Sequence, residues 1–285
     1  MSQIKQVGIL GAGMMGAQIG LCFAVAGCKV PLKDLEIKQA QIGKENLTRV
    51  LDKAIQKGHF PAEQRDVTLD RISPTADYGD LADSDLVIEA VFEKFEIKQK
   101  VLADVDDACK PDCMIVSNTS SIPITKLATC VGESRRPLFA GTHFFAPAFI
   151  MKLVEIIPGL ETAEDTVTAL MGACQMINKM PIRVKDTAGF VVNRLLFALF
   201  GEAVRLVDEG VASCKDIDAA CQLGLGHPLG PLALMDMADL GMALDIGNLL
   251  AEAHGDRFRF GEALKQKVYA GHLGRKSGKG WHSYD

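Results

Sequence analysis

The sequence predicts an α/β chain in which a mostly parallel sheet with helices on both faces is followed by a second, smaller all-α domain. Three observations carry this. Short β-branched, apolar runs alternate with longer helical patterns over the first two thirds of the 285 residues, a glycine-rich turn precedes the first helical pattern, and strand signals stop after Lys185. The chain also exceeds the usual size of a single core, and with 48% hydrophobic residues it can fill two unequal ones.

In chain order the candidate strands are QVGIL, KVPLK, DLVIEA, CMIVSN, LFAGTHFF, KLVEII and PIRVK, separated by helical segments such as 36–57 and 96–109. Pro31 in KVPLK weighs against its strand, because proline removes a ladder donor and prefers edges or strand starts. From FVVNRLLFALFGEAVRLVDEG onward, apolar residues recur at helical spacing to about Ala270. The domains are therefore placed at residues 1–186 and 187–285. The first helix of the second domain, 189–207, is apolar on more than one face, which suits a bundle interior or a subunit interface. Trp281 and Tyr284 are expected to pack the tail.

Thirty-one Lys and Arg against 36 Asp and Glu give a net charge of −5, which argues against nucleic acid or an acidic membrane surface as a partner. No apolar run approaches the length of a membrane span. The eight cysteines include no CxxC, and the closest pair, Cys109 and Cys113 in CKPDC, is not a zinc pattern, so no metal site is expected. With no signal-peptide pattern at its start, the chain is expected in the cytoplasm with reduced thiols.

QVGILGAGMMGAQIG sets Gly11, Gly13 and Gly16 between a strand and a helix. Gly11 permits the tight turn, Gly13 lets backbone approach a pyrophosphate, and Gly16 allows helix to pack closely on strand. Met14 and Met15 open the helix, whose terminal N–H groups and partial positive charge receive phosphates. This is the signature of a Rossmann-type domain. Asp34 closes the second strand about twenty residues later, where a carboxylate accepts from a ribose 2′-hydroxyl and repels a 2′-phosphate, so the expected cofactor is NAD. Lys33 adjoins Asp34, but neighbours on a strand point to opposite faces.

Open sheets of this kind bind ligands beyond the carboxyl ends of their strands, and Ser120 and His143 both fall at such ends. Histidine is suited to exchanging an alcohol proton near neutrality, and Glu155 is placed to orient its other ring nitrogen. Spacing alone leaves open a satisfied interior histidine and a solvated glutamate.

SNTSS, HFF-P, KLVEII, KDTAGFVVNRLL, GHPLGPLALMD and a terminal GRKSGKGW follow one another across essentially the whole chain. In this order they resemble the 3-hydroxyacyl-CoA dehydrogenase family, in its free-standing 3-hydroxybutyryl-CoA type. The resemblance implies that His143 is the general base in alcohol oxidation, oriented by Glu155, and that Ser120 binds the substrate's 3-oxygen beside the nicotinamide. It implies that Asn193 completes the polar pocket in a cleft between domains. Glu93, Lys98 and Lys276 match positions that contact NAD, and the helical domain is implied to form a homodimer. One departure falls in the active-site motif: Ala146 stands where the family usually has asparagine. KDTAGF, where KD-PGF is common, is a milder one.

Coenzyme A carries several phosphate charges, so an acidic chain needs a local basic patch. Arg49, Lys53 and Lys57 recur at four-residue spacing on one helical face, and Lys53 falls near a family coenzyme A contact; an ordinary solvated face is equally compatible. The expected substrate is an acyl-CoA. A dehydrogenase of a free 3-hydroxy acid, such as a sugar acid, and a non-catalytic dinucleotide-binding relative remain the alternatives.

Overall fold

The computed structural model describes residues 4–284, which divide along the chain into two compact units, the first ending at Thr187 and the second beginning at Ala188. In the first, eight strands form one sheet: β1 (Val7–Leu10), β2 (Val30–Lys33), β3 (Ile72–Thr75), β4 (Leu86–Glu89), β5 (Met114–Ser117), β6 (Phe139–Phe144), β7 (Leu153–Pro158) and β8 (Met180–Arg183). Their order is β3-β2-β1-β4-β5-β6-β7-β8. Every neighbouring pair is parallel except β6 with β7. Helices α1 (Met14–Val25), α2 (Ile37–Gln56), α3 (Arg65–Asp70), α4 (Phe95–Ala108), α5 (Ile124–Ala128) and α6 (Glu164–Met176) make the connections.

The central strands are buried along their whole length, which is why VGIL and LVIE read as continuous apolar runs and not as alternating ones. Ile9, Phe23, Leu32, Leu47 and Ile88 lie in one core, where each large apolar side chain stabilises by about 1.5–3 kcal/mol. α2 shows the converse pattern, burying Ala40, Gly43, Leu47 and Leu51 on one stripe and leaving its charged side in water.

One strand is added to those expected, and the expected strand over KVPLK stands despite its proline. β3, with the sequence ISPT, was not among the predicted strands; it is the edge strand, and its Pro74 sits where no ladder donor is needed. Pro31, expected to prefer an edge, lies inside β2, which pairs on both sides. Val30 N–H donates outward to Arg71 O of the β3 side, so Pro31 faces β1. There the ladder is interrupted: an isolated Gln6–Lys29 bridge lies before Pro31, and continuous pairing resumes only at Ile9 with Leu32. The flanking pairs and the buried apolar faces hold β2 in place despite the missing donor.

The second unit consists of α7 (Val192–Asp208), α8 (Cys214–Leu225), α9 (Pro231–Ala238), α10 (Leu240–His254) and α11 (Glu262–Tyr269) around a core that includes Phe197, Phe200, Leu232, Met235 and Leu250. α7 turns Phe197, Phe200, Ala203 and Val204 inward and leaves Leu195 exposed, so its second apolar side is not used within the unit. Buried Asp236 accepts N–H from Trp281 and His282 and the hydroxyl of Tyr284, while Asp218 accepts from Leu232 and Ala233 and pairs with His282. The GHPLGPLALMD and GRKSGKGW motifs are thereby fastened to each other. Among the described residues no helix is long and apolar enough to cross a membrane.

Candidate active site

The parallel strands β1 to β6 end on the same edge of the sheet, and the glycine loop lies there between β1 and α1. Gly11 has φ +99°, and a Cβ on it would meet Ala90 O at 2.6 Å. A Cβ on Gly16 would lie 1.9 Å from Gly11 O, so helix and loop touch backbone to backbone. Gly13 differs, because a Cβ there would meet nothing within 4 Å. It is also the N-cap of α1 without a side-chain acceptor, so the first-turn N–H groups need an external one. Met14 stands exposed at this end, and Met15 is half-buried. The geometry fits a pyrophosphate.

Asp34, at the end of β2, accepts N–H from Ala12 in the glycine loop at 2.7 Å and from Leu35 at 2.7 Å. A carboxylate has about four lone-pair sites, so capacity remains for a ribose hydroxyl. Lys33 does not compete for that space: its ammonium lies 3.9 Å from the centre of the Tyr78 ring.

His143 and Glu155 are direct register partners across β6 and β7, and both are buried. His143 Nδ1 lies 2.7 Å from Glu155 Oε2. With the carboxylate accepting from Nδ1–H, a neutral ring carries its lone pair on Nε2. The antiparallel return of β7 brings Glu155 to this edge, since a parallel strand would carry that position to the opposite one.

Ser120 lies three residues past β5 in a loop held from several sides. Asn118 Oδ1 accepts from Phe144 N at 2.9 Å, tying the loop to the end of β6 beside His143. Glu93 Oε1 accepts from Ser120 N at 2.9 Å, Ser121 N at 3.0 Å, Ser121 Oγ at 2.9 Å and Thr119 Oγ1 at 2.5 Å. Burial pushes the Glu93 carboxyl upward, but the Lys98 ammonium and the hydrogen bonds from Thr119, Ser121 and Ser120 together hold it below the usual glutamate range. Downstream, Asp186 of the KDTAGF motif accepts from Ile124 N, Thr125 N and Thr125 Oγ1 at the start of α5.

Lys98 is 1% exposed and is enclosed by Glu89 Oε1 at 2.6 Å and Glu93 Oε2 at 3.2 Å. Asn193 is half-buried in the first turn of α7, and Lys276 is exposed in the short turn Arg275–Ser277; both belong to the helical unit. Arg49 and Lys53 project into solvent from α2, and Lys57 follows its last residue.

Several supporting residues escaped the sequence reading. Lys179 directs its ammonium at the carbonyls of Ala148 (2.6 Å), Phe149 (3.4 Å) and Met151 (2.7 Å), bracing the loop that carries Ala146 between β6 and β7. Asn118 lies in SNTSS and Asp186 in KDTAGF, where only their place in the pattern distinguishes them. All eight cysteines are free; burial pushes Cys22 up to about 11 and Cys174 up to about 12, which leaves both inert.

Residues 6–187 match the NAD binding domain of 3-hydroxyacyl-CoA dehydrogenase, and residues 189–284 match its C-terminal domain. The chain is 39% identical over 284 residues to a 3-hydroxybutyryl-CoA dehydrogenase of Clostridioides difficile, covering 98% of this chain and 99% of that one. A probable 3-hydroxybutyryl-CoA dehydrogenase of Bacillus subtilis is 37% identical over 284 residues, covering 99% of this chain and 98% of the relative. Among solved structures, (S)-3-hydroxybutyryl-CoA dehydrogenase from Ralstonia eutropha superposes with a TM-score of 0.95 at 39% identity, covering 99% of this chain and 100% of that one. The chain belongs to the 3-hydroxyacyl-CoA dehydrogenase family.

Proposed function

We propose that this enzyme transfers hydride between C3 of a short 3-hydroxyacyl-CoA, of the 3-hydroxybutyryl-CoA and acetoacetyl-CoA type, and NAD. The observation that carries the reading is the buried His143–Glu155 pair at the carboxyl edge of the sheet, in the same unit as a glycine loop with an open phosphate cradle. In the oxidation, His143 Nε2 takes the hydroxyl proton from the substrate, and Glu155 stabilises the imidazolium that forms. The reverse reaction returns that proton. Bound NAD supplies the hydride acceptor at its nicotinamide C4.

Ser120 holds the substrate's 3-oxygen, in a loop whose backbone is fixed by Glu93 and Asn118. Asn193 is assigned to the substrate and Lys276 to the cofactor on their motifs. Gly11, Gly13, Met14, Met15 and Gly16 carry the pyrophosphate turn, Asp34 takes the adenosine ribose, and Lys98 serves the cofactor through Glu93. The Arg49, Lys53 and Lys57 side of α2 receives the coenzyme A phosphates. The helical unit exposes Leu195, Leu223 and Leu225, which supports a homodimer formed through that unit. The eight free thiols favour a cytoplasmic setting.

The test is to follow NADH absorbance after adding acetoacetyl-CoA or free acetoacetate. Rapid oxidation with the thioester, inhibited by free coenzyme A, is expected; activity on the free acid with no competition by coenzyme A would overturn the substrate class. Sedimentation velocity checks the dimer, which a monomer at micromolar concentration would exclude.

A further inference from the structure

We propose that Glu89, a residue to which no role attaches so far, is a positioning residue for the substrate-binding serine, acting through a buried relay that ends at the backbone of Ser120. The proposal rests on the assignment of Ser120 given above. Glu89 is the last residue of β4 and is completely buried. An acidic side chain in that setting must be fully engaged, and it is. Its Oε1 accepts from Lys98 Nζ at 2.6 Å and Val91 N at 2.7 Å, and its Oε2 accepts from Ser117 Oγ at 2.5 Å. An ammonium, an amide and a hydroxyl all donate, so both carboxylate oxygens are held as acceptors.

The geometry runs onward from both partners. Ser117 is the register partner of Glu89 across β4 and β5, so the two side chains leave the same face of the sheet. While donating to Glu89, its hydroxyl accepts from Thr119 N at 3.2 Å. Thr119 Oγ1 donates to Glu93 Oε1, the oxygen that also receives Ser120 N and Ser121 N. Lys98 closes the circuit from the other side, with its three protons directed at Glu89 Oε1, Glu93 Oε2 at 3.2 Å and Val91 O at 3.5 Å. Glu93 alone would not fix the loop, because it lies on a surface turn and its side chain is 35% exposed. Glu89 provides the immobile end. It pins Lys98 and Ser117 to the rigid sheet, and these hold Glu93 and Thr119. Within this network the Lys98 ammonium is occupied by two carboxylates, so its influence on bound ligand passes through the loop.

The experiment is peptide-level hydrogen exchange on the full chain without cofactor or substrate, comparing wild type with Ser117→Ala and Glu89→Gln. Segments covering 118–122 are expected to exchange at least about tenfold faster in both variants, while β1 keeps its wild-type protection. Ser117→Ala is further expected to lower kcat with acetoacetyl-CoA by about tenfold or more while its thermal midpoint stays close to wild type. Wild-type protection of 118–122 in both variants overturns the proposal. Should Glu89→Gln fail to fold, the double variant Glu89→Gln/Lys98→Met removes both buried charges. It is expected to fold with the loop still unprotected, whereas restored protection would reduce Glu89 to a partner for a buried charge and overturn the relay. If wild type does not turn over acetoacetyl-CoA, the role of Ser120 falls, and the exchange result still decides whether Glu89 holds the loop.

Discussion

His143 and Glu155 face each other across the only antiparallel pair in the described sheet, 2.7 Å apart and shielded from water. His143→Ala is expected to lower kcat by about 10²–10⁴-fold, the range of general acid–base catalysis, and Glu155→Gln by at least about tenfold. Stopped-flow NADH oxidation measures both. A rate for His143→Ala equal to wild type would remove the histidine from the chemistry.

The glycine loop separates space needed by the protein from space left for a ligand. Gly13→Ala adds a methyl group where no atom lies within 4 Å, so folding stability should change by no more than about 0.5 kcal/mol. The NADH dissociation constant, read from fluorescence, should rise by about tenfold or more. Gly16→Ala drives a methyl group into Gly11 O and is expected to lower stability by about 1–3 kcal/mol. Unaltered NADH affinity in Gly13→Ala would show that the cofactor does not approach this loop.

Ala146 offers no side-chain hydrogen bond where the family usually has asparagine. One such bond contributes about 0.5–1.5 kcal/mol, so Ala146→Asn is expected to improve kcat/KM for acetoacetyl-CoA, or NADH affinity, by about two- to tenfold. A fall in both would mean that alanine is fitted to a different acyl group.

Because the Glu93 carboxyl titrates below its ordinary range in the folded chain, its contribution is complete above the unfolded value of about 4.3 and is lost as the pH falls through the lowered one. The difference in thermal midpoint between wild type and Glu93→Gln should therefore be constant from about pH 8 to 5 and shrink below about pH 4. A difference that grows on acidification contradicts the assignment.

Thr142, beside His143, is buried, and among the described residues its hydroxyl has no hydrogen-bond partner. Thr142→Val keeps the shape and removes the orphaned group, so stability should rise by about 1 kcal/mol in urea denaturation, with activity retained. Destabilisation would reveal a partner for that hydroxyl.

Much of this was legible in the residues because the signals were local. A strand, three glycines and a helix in immediate succession state a dinucleotide turn, and Asp34 at the next strand end completes it. The pair was readable only in part, since spacing alone equally allows an interior histidine and a solvated glutamate; the antiparallel register of β6 and β7 is what brings the two together. Edge strand β3 was missed because its proline and short length erase the apolar run. The strand over KVPLK stands in spite of Pro31, because a sheet interior tolerates one missing donor when the neighbouring pairs hold. Glu89, Asn118 and Lys179 could not be seen as supports, because what each one touches is decided by packing between segments.

The antiparallel turn of β7 also bears on how the site assembles. His143 and Glu155 are 12 residues apart in sequence, whereas Glu93 and Ser120 are 27 apart. Chain-closure entropy therefore favours the first contact by about 0.7 kcal/mol, before any difference in bond strength. His143 and Glu155 are a hairpin contact, able to form as soon as that hairpin does. Residues 145–152 connect the two, so a replacement such as Ala146 alters what the pair meets without altering how it is made.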